Sequence, residues 1–305
     1  MNDAGDDDDD GGLPEYLGPP EFPPASATAQ VTFGAQSRRG RARAINEDHY
    51  VIFRLSRHLE TLLTSLPDKA TVARFDEYGH VMIVADGIGE SGTGEAASRL
   101  AISTLVHLVS HFGRWNLRVD DAIAQEIMAR AERFYRHVDG AVTYQRRMNA
   151  ALNQTTLTAV FGAGHDLFFA HVGHSRAYLL RDRHLLRLTR DHTIGRNGST
   201  TVPVAPLMDV NAAVRDFKHI VTDTIGMTGS SGPTIDLERI RLDDDDRVLV
   251  CTNGLTDMVD ESRIAEVLAS EQSPSDQCQT LVDLAMASEG DDDVTALVAR
   301  YRIPT

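Results

Sequence analysis

The apolar and polar positions of this 305-residue chain follow two rhythms, and the places where the rhythm changes mark its elements. β-type runs at Ala29 to Phe33, Tyr50 to Leu55 and His80 to Ala85 predict strands. Leu55 to Ala70 reads as an irregular or partly helical insert. From Gly94 to His111 the apolar residues Ala97, Leu100, Ala101, Leu105, Leu108 and Val109 recur at helical spacing, and Asp120 to Gln145 continues as a second long helix. Four β-type runs follow, Thr155 to Phe161, Leu167 to Val172, Arg176 to Arg181 and Leu185 to Thr189. Their short polar or glycine-containing links suit antiparallel hairpins and predict a meander. Residues 192 to 234 are rich in Gly, Thr, Ser and Pro and lack periodicity, which predicts an exposed flap. Arg247 to Thr252 reads as a strand, Glu261 to Ala269 and Ser275 to Ser288 as helices, and Val294 to Tyr301 as a closing strand. Strand runs separated from paired helices favour an α+β fold with antiparallel sheets over strict alternation.

Composition narrows the function classes. An apolar fraction of 42% is enough for a real core, and one compact domain from residue 29 to 305 is the simplest reading. The formal charge of −15 argues against a general nucleic-acid or anionic-membrane binder. Residues 1 to 28 carry eight acids, five prolines and no Lys or Arg, the composition of a disordered acidic tail. Cys251 and Cys278 have neither a CxxC neighbour nor a His at zinc spacing, so neither a disulfide scaffold nor structural zinc is expected. With no signal-peptide pattern and no run of about 18 apolar residues, a cytoplasmic monomer is expected.

The candidate chemistry lies where apolar runs end in acids or amides. Asn46-Glu47-Asp48 precedes Tyr50 to Phe53, Asp86-Gly87 follows Val81 to Ala85, Asn253-Gly254 follows Val248 to Cys251, and Asp292-Asp293 precedes Val294 to Val298. Taken singly each reads as a turn, and Asn-Gly is a strong turn dipeptide by itself. A carboxylate at a buried strand end is costly without a cation, and four such ends suggest one shared divalent metal site.

The blocks Arg43-Ala-Ile-Asn-Glu-Asp48, Ala85-Asp-Gly-Ile-Gly89, Val172-Gly-His-Ser-Arg-Ala-Tyr-Leu179, Cys251-Thr-Asn-Gly-Leu-Thr-Asp257 and Gly290-Asp-Asp-Asp-Val-Thr295 resemble, in order, the signatures of the metal-dependent PPM (type 2C) protein phosphatases. The resemblance spans about residue 30 to the C-terminus. It implies an αββα four-layer sandwich, two packed antiparallel sheets flanked by helix pairs. It also implies hydrolysis of phosphoserine or phosphothreonine in proteins by a water bridging two Mn²⁺ or Mg²⁺ ions. Asp86 would bridge both ions, Glu47 and the Gly87 carbonyl would complete one site, and Asn253 and Asp292 the other. Asp48 would stand just behind as an acceptor, and Arg43 would grip the phosphate. The partner implied is a phosphorylated protein made by a Ser/Thr kinase.

The chain departs from that pattern in four places. Asn253 replaces an Asp, which keeps a ligating oxygen and removes a charge. His174 replaces an Asp often used for a third metal, so a third oxygen-ligated site is not expected. Asp293 replaces an Asn and is a candidate to offset the loss at Asn253. Ile88 stands where some members carry a His, leaving water to protonate the leaving alkoxide. Gly87 to Gly92 matches G-x-G-x-x-G, but Asp86 and Glu90 would repel a pyrophosphate. A phosphate-recognising module without turnover is the alternative function, and Asn253 and His174 are its motive.

Overall fold

The computed structural model describes residues 25–66, 75–89, 92–149, 152–193, 221–227, 232–288 and 290–304. Its elements run α1 (Ala25–Thr28), β1 (Gln30–Arg38), β2 (Asp48–Leu59), β3 (Phe75–Ile88), α2 (Thr93–Phe112) and α3 (Asp121–Met148). Next come β4 (Gln154–Thr155), β5 (Leu157–Ala163), β6 (Asp166–Val172), β7 (Arg176–Arg181), β8 (His184–Arg187), β9 (Asp236–Arg241) and β10 (Arg247–Cys251). The chain closes through α4 (Asn253–Thr256), α5 (Glu261–Leu268), α6 (Pro274–Ala287) and β11 (Val294–Arg302).

The strands form two antiparallel sheets, ordered β1-β11-β10-β7-β8 and β2-β3-β5-β6-β9, with β4 on the end of β3. Side-chain alternation sorts the core into three layers. Val81, Ile83 and Ala85 of β3 pack on Ala97, Ala101, Leu105, Tyr135 and Val138 of α2 and α3. Met82 and Val84, one residue out of phase, meet Val160, Leu179, Val248, Val250 and Leu297 between the sheets. Leu249, Cys251 and Val298 face the other way onto Ile264, Leu281 and Val282 of α5 and α6. The result is the expected αββα sandwich. Each fully buried Val, Ile or Leu contributes roughly 1.5–3 kcal/mol, so these faces fix the register of every central strand.

Helix starts follow their capping residues. Asp120, Asp260 and Ser273 accept from the backbone N–H of Ile123, Arg263 and Asp276, and Pro274 opens α6 where its missing N–H is harmless. α2 differs, because its N-cap, Gly92, has no side chain to offer.

Several sequence expectations are corrected. β2 runs on to Leu59, in register with Phe75 of β3, so the insert after Leu55 begins as strand and only residues 60–66 of it are irregular among those described. The four-run meander splits: β5 and β6 belong to one sheet, β7 and β8 to the other. The crossing falls at Gly173-His174-Ser175, with Gly173 at φ 114°. Both β6 and β7 are buried on both faces, so their patterns could not show where the chain changes sheets. β6 pairs instead with β9, whose polar Asp-Leu-Glu-Arg-Ile-Arg sequence suits an edge and hid it from a search for apolar runs. The expected tail lies outside the described residues through 24. Ala25–Thr28 form a helical turn packed on β3, so ordered chain begins before residue 29. Most of the expected flap, residues 194–220 and 228–231, also lies outside the described residues. No helix among those described is long and apolar enough to cross a membrane.

Candidate metal centre and active site

Strand periodicity carries the acids to one end of the sandwich. Asp86 has the same parity as Met82 and Val84, and Asp48 the same parity as Ile52, so both carboxylates emerge from the layer between the sheets. They are direct cross-strand partners on β2 and β3, each 6% exposed. Glu47 and Gly87, one residue out of phase, turn toward α2.

Asp48 links the two sheets. Its Oδ2 accepts from the hydroxyls of Thr252 at 2.8 Å and Thr295 at 2.7 Å, at the ends of β10 and β11 in the opposite sheet. Its Oδ1 is buried without a hydrogen-bond partner. Asp86 is held through its backbone: its N–H donates to Thr156 Oγ1 at 3.0 Å, and its carbonyl accepts from Thr155 Oγ1 at 2.8 Å and Thr156 N–H at 2.9 Å. His174 Nδ1 stands 3.7 Å from Asp86 Oδ2.

Glu47, 1% exposed, supplies the cap that Gly92 lacks. Its Oε1 accepts from the N–H of Gly92 at 2.5 Å and of Gly94 at 3.3 Å, at the positive end of α2. Its Oε2 lies 3.3 Å from Arg43 Nη1. Gly87 and Gly94 touch backbone to backbone, and a Cβ on Gly94 would come within 2.4 Å of the Gly87 carbonyl carbon.

Arg43 spans two candidate ligands. Besides Glu47 it donates to Asp292 Oδ1 from Nη2 at 2.6 Å and from Nε at 2.9 Å. Burial lowers its pKa, but Asp292, Glu47 and Asp293 together hold it above the usual guanidinium value. Asn253 opens α4. Its Nδ2 donates to Asp257 Oδ2 at 3.1 Å, which leaves Oδ1 on the buried side, without a hydrogen-bond partner. Asp293, the candidate to offset the charge lost at Asn253, is held by backbone amides, and its charge still acts on Asp48 and Asp86. Its two oxygens accept from the N–H groups of Gly40 at 2.8 Å and Glu47 at 2.7 Å, so it ties the β1–β2 connection to the start of β11.

The electrostatics are those of acids crowded without compensation. Burial, then Asp48 and Asp292, push Asp86 well above the usual carboxylate range, with Arg43 opposing. Burial pushes Asp48 up to about 8 against the two threonine hydroxyls, and Asp293 and Asp292 add to the rise. The described residues contain no group of three or more His, Cys, Asp or Glu already closed around one point. Even so, the donor set suits a hard divalent cation. All of its donors are oxygens, the acids repel one another, and the two unpaired buried oxygens, Asp48 Oδ1 and Asn253 Oδ1, are of the type that Mg²⁺ and Mn²⁺ accept. Glu47 fits less directly, because Gly92, Gly94 and Arg43 already satisfy it.

Sequence reasoning missed the groups that hold the acids: Thr252, Thr295, Thr155, Thr156 and the α2 amides. Thr252 directly before Asn253, and Thr295 two residues after Asp293, were the available signal.

The sequence profile of the protein phosphatase 2C family matches residues 65–287. The chain belongs to the protein phosphatase 2C family. It is similar to the serine/threonine protein phosphatase PstP of Mycobacterium tuberculosis, 30% identical over 279 residues, which cover 90% of this chain and 46% of that protein. This chain thus spans about half the length of that relative. It is 28% identical over 220 residues to the serine/threonine phosphatase stp of Listeria monocytogenes, covering 72% of this chain and 83% of that one. Among solved structures, the S. agalactiae serine/threonine phosphatase superposes with TM-score 0.66 at 25% identity, covering 88% of this chain and 99% of that one. The catalytic domain of PstP in complex with two manganese ions superposes with TM-score 0.64 at 28% identity, covering 90% and 99%. The five motif blocks of this 2C chain converge on the end of the sandwich built above. Arg176 of the third block is taken up in a two-pronged pair with Asp191 at 3.0 and 2.8 Å, which makes it a structural residue here.

Proposed function

We propose that this chain hydrolyses phosphoserine or phosphothreonine in proteins phosphorylated by a Ser/Thr kinase, using two Mn²⁺ or Mg²⁺ ions. The supporting observation is the convergence of Asp48, Asp86, Asn253 and Asp292, from four distant segments and both sheets, with two buried oxygens still lacking a partner. The two manganese ions in the PstP catalytic-domain structure support the same reading. Asp86, the Gly87 carbonyl, Glu47, Asn253 and Asp292 would hold the ions. Such a pair supplies an activated water and compensates charge on the phosphoryl oxygens.

The remaining roles belong to the protein. Arg43 would exchange its carboxylate partners for the phosphate, whose geometry suits a planar guanidinium equally well. Asp48, anchored by Thr252 and Thr295, would accept a hydrogen bond from the attacking side and keep the two sheets in register at the site. Ile88 offers no proton, so the leaving alkoxide takes one from water.

Asn253 favours a second reading, a phosphoprotein-binding module without turnover, because it takes one full charge out of the ligand set. The two separate on hydrolysis of a phosphothreonine peptide at saturating Mn²⁺ by wild type and Asn253→Asp. Turnover by wild type supports the enzyme. A silent wild type that Asn253→Asp revives assigns the chain to the binding role.

A further inference from the structure

An apolar cavity of about 130 Å³ opens between the α2–α3 pair and the second sheet, and none of the candidate metal ligands lines it. Leu55, Val109, Trp115, Phe134, Phe161 and Phe168 are among its walls. The volume is close to that of an engineered cavity of about 150 Å³ that takes one benzene ring. Walls without a partner on one side forfeit dispersion contacts, and Trp115 at the mouth remains 42% exposed. The fold therefore offers room for a single aromatic ring.

The N-terminal chain arrives beside this opening. Ser26 Oγ of α1 donates to Glu77 Oε1 at 3.3 Å, and the same oxygen accepts from Arg118 Nε at 2.5 Å. A Cβ on Gly79 would lie 2.7 Å from both Leu117 and the cavity-lining Phe161, and Gly113, Arg114 and Trp115 line the cavity, so the segment that shares Glu77 with α1 also forms the cavity rim. Three residues upstream of Ala25 stands Phe22, followed by Pro23-Pro24. Three extended residues reach roughly 10 Å, and two prolines stiffen that reach at little entropic cost.

Charge agrees with this direction. The tail is acidic, with Glu21 next to Phe22, then Glu15 and Asp6 to Asp10, and it has no basic residue. Arg57 and Arg118 share Glu77 and Arg114 pairs with Glu126, yet 56%, 41% and 76% of these side chains stay exposed, so the edge has guanidinium surface still open to further acids. We propose that the N-terminal segment folds back on its own domain, seats the Phe22 ring in this cavity and lays its acids along these arginines. The proposal stands independently of the phosphatase reading.

Trp115 is the only tryptophan of the chain, so its fluorescence reports the cavity mouth directly. In the full chain, Phe22→Ala should raise acrylamide quenching of Trp115 about twofold and red-shift its emission, as the indole loses its aromatic cover. Benzoylphenylalanine placed at position 22 of the full chain should cross-link on irradiation to α3 or to residues 113–118 of the same molecule. Unchanged quenching in Phe22→Ala would overturn the proposal. So would a cross-link that joins two chains, which gives the cavity to a second copy, or one that maps elsewhere.

Discussion

Asp86 and His171 are both buried against their charge, and they give opposite tests. Asp86 is destabilised in its ionised form by burial, Asp48 and Asp292. Asp86→Asn should therefore leave the metal-free protein at least as stable as wild type at pH 8, unlike most changes to a buried polar group. The wild type should gain about 2.7 kcal/mol at Mn²⁺ a hundredfold above Kd, and Asp86→Asn should gain nothing, both readable by thermal melting. His171 sits in the opposite situation. Its Nε2–H is shared between the carbonyls of Gly173 at 3.0 Å and Arg190 at 2.9 Å, and its Nδ1 pairs with Thr158 Oγ1 at 2.8 Å. Burial, then His192, push its pKa from 6.5 down to about 3, against the weaker pull of Asp191. The unfolded chain takes up a proton near pH 6.5 that the folded chain refuses until about pH 3. This contribution is thus complete above pH 6.5 and is lost as pH falls through that window. Urea midpoints should drop between pH 7.5 and 5 in wild type and drop less in His171→Gln; equal slopes would remove His171 from the account.

At the scale of elements, the site depends on how closely β3 approaches α2. Gly87 and Gly94 touch through their backbones, and this contact brings the α2 amides onto Glu47. Gly94→Ala should cost about 1–3 kcal/mol in the denaturant midpoint and shrink the Mn²⁺ thermal shift as well. A loss of stability with an undiminished metal shift would separate the helix from the site. The same contact shows what a sequence can disclose. Long periodic helices such as α2 and α3 were legible because their burial faces repeat, and β10 and β11 because they carry uninterrupted apolar runs. The four acid or amide clusters were legible because each borders an apolar strand run. β9 was hidden by its polar edge sequence, and the crossing at Gly173 was hidden because β6 and β7 are buried on both faces. The amides that Asp293 accepts from were not legible, because an acid that binds backbone N–H groups looks in sequence like any other acid.

At the scale of the whole molecule, the site exists only where both sheets meet. Asp48 comes from one sheet while Thr252 and Thr295 come from the other, so the site and the packing of the sandwich are coupled. Thr295→Val should cost about 1–3 kcal/mol in stability, since it leaves a buried carboxylate oxygen short of a donor, and should also weaken Mn²⁺ binding. Asn253→Asp adds a charge at the same junction and should tighten Mn²⁺ by about tenfold, roughly 1.4 kcal/mol, in a calorimetric titration. The central claim is that these carboxylates serve a metal-dependent phosphatase. The most direct measurement is hydrolysis of a phosphothreonine peptide across a Mn²⁺ titration by wild type and Asp86→Ala. The account predicts turnover that rises with Mn²⁺ to saturation in wild type and is absent from a folded Asp86→Ala. Wild-type turnover that ignores Mn²⁺, or that survives Asp86→Ala, would contradict it.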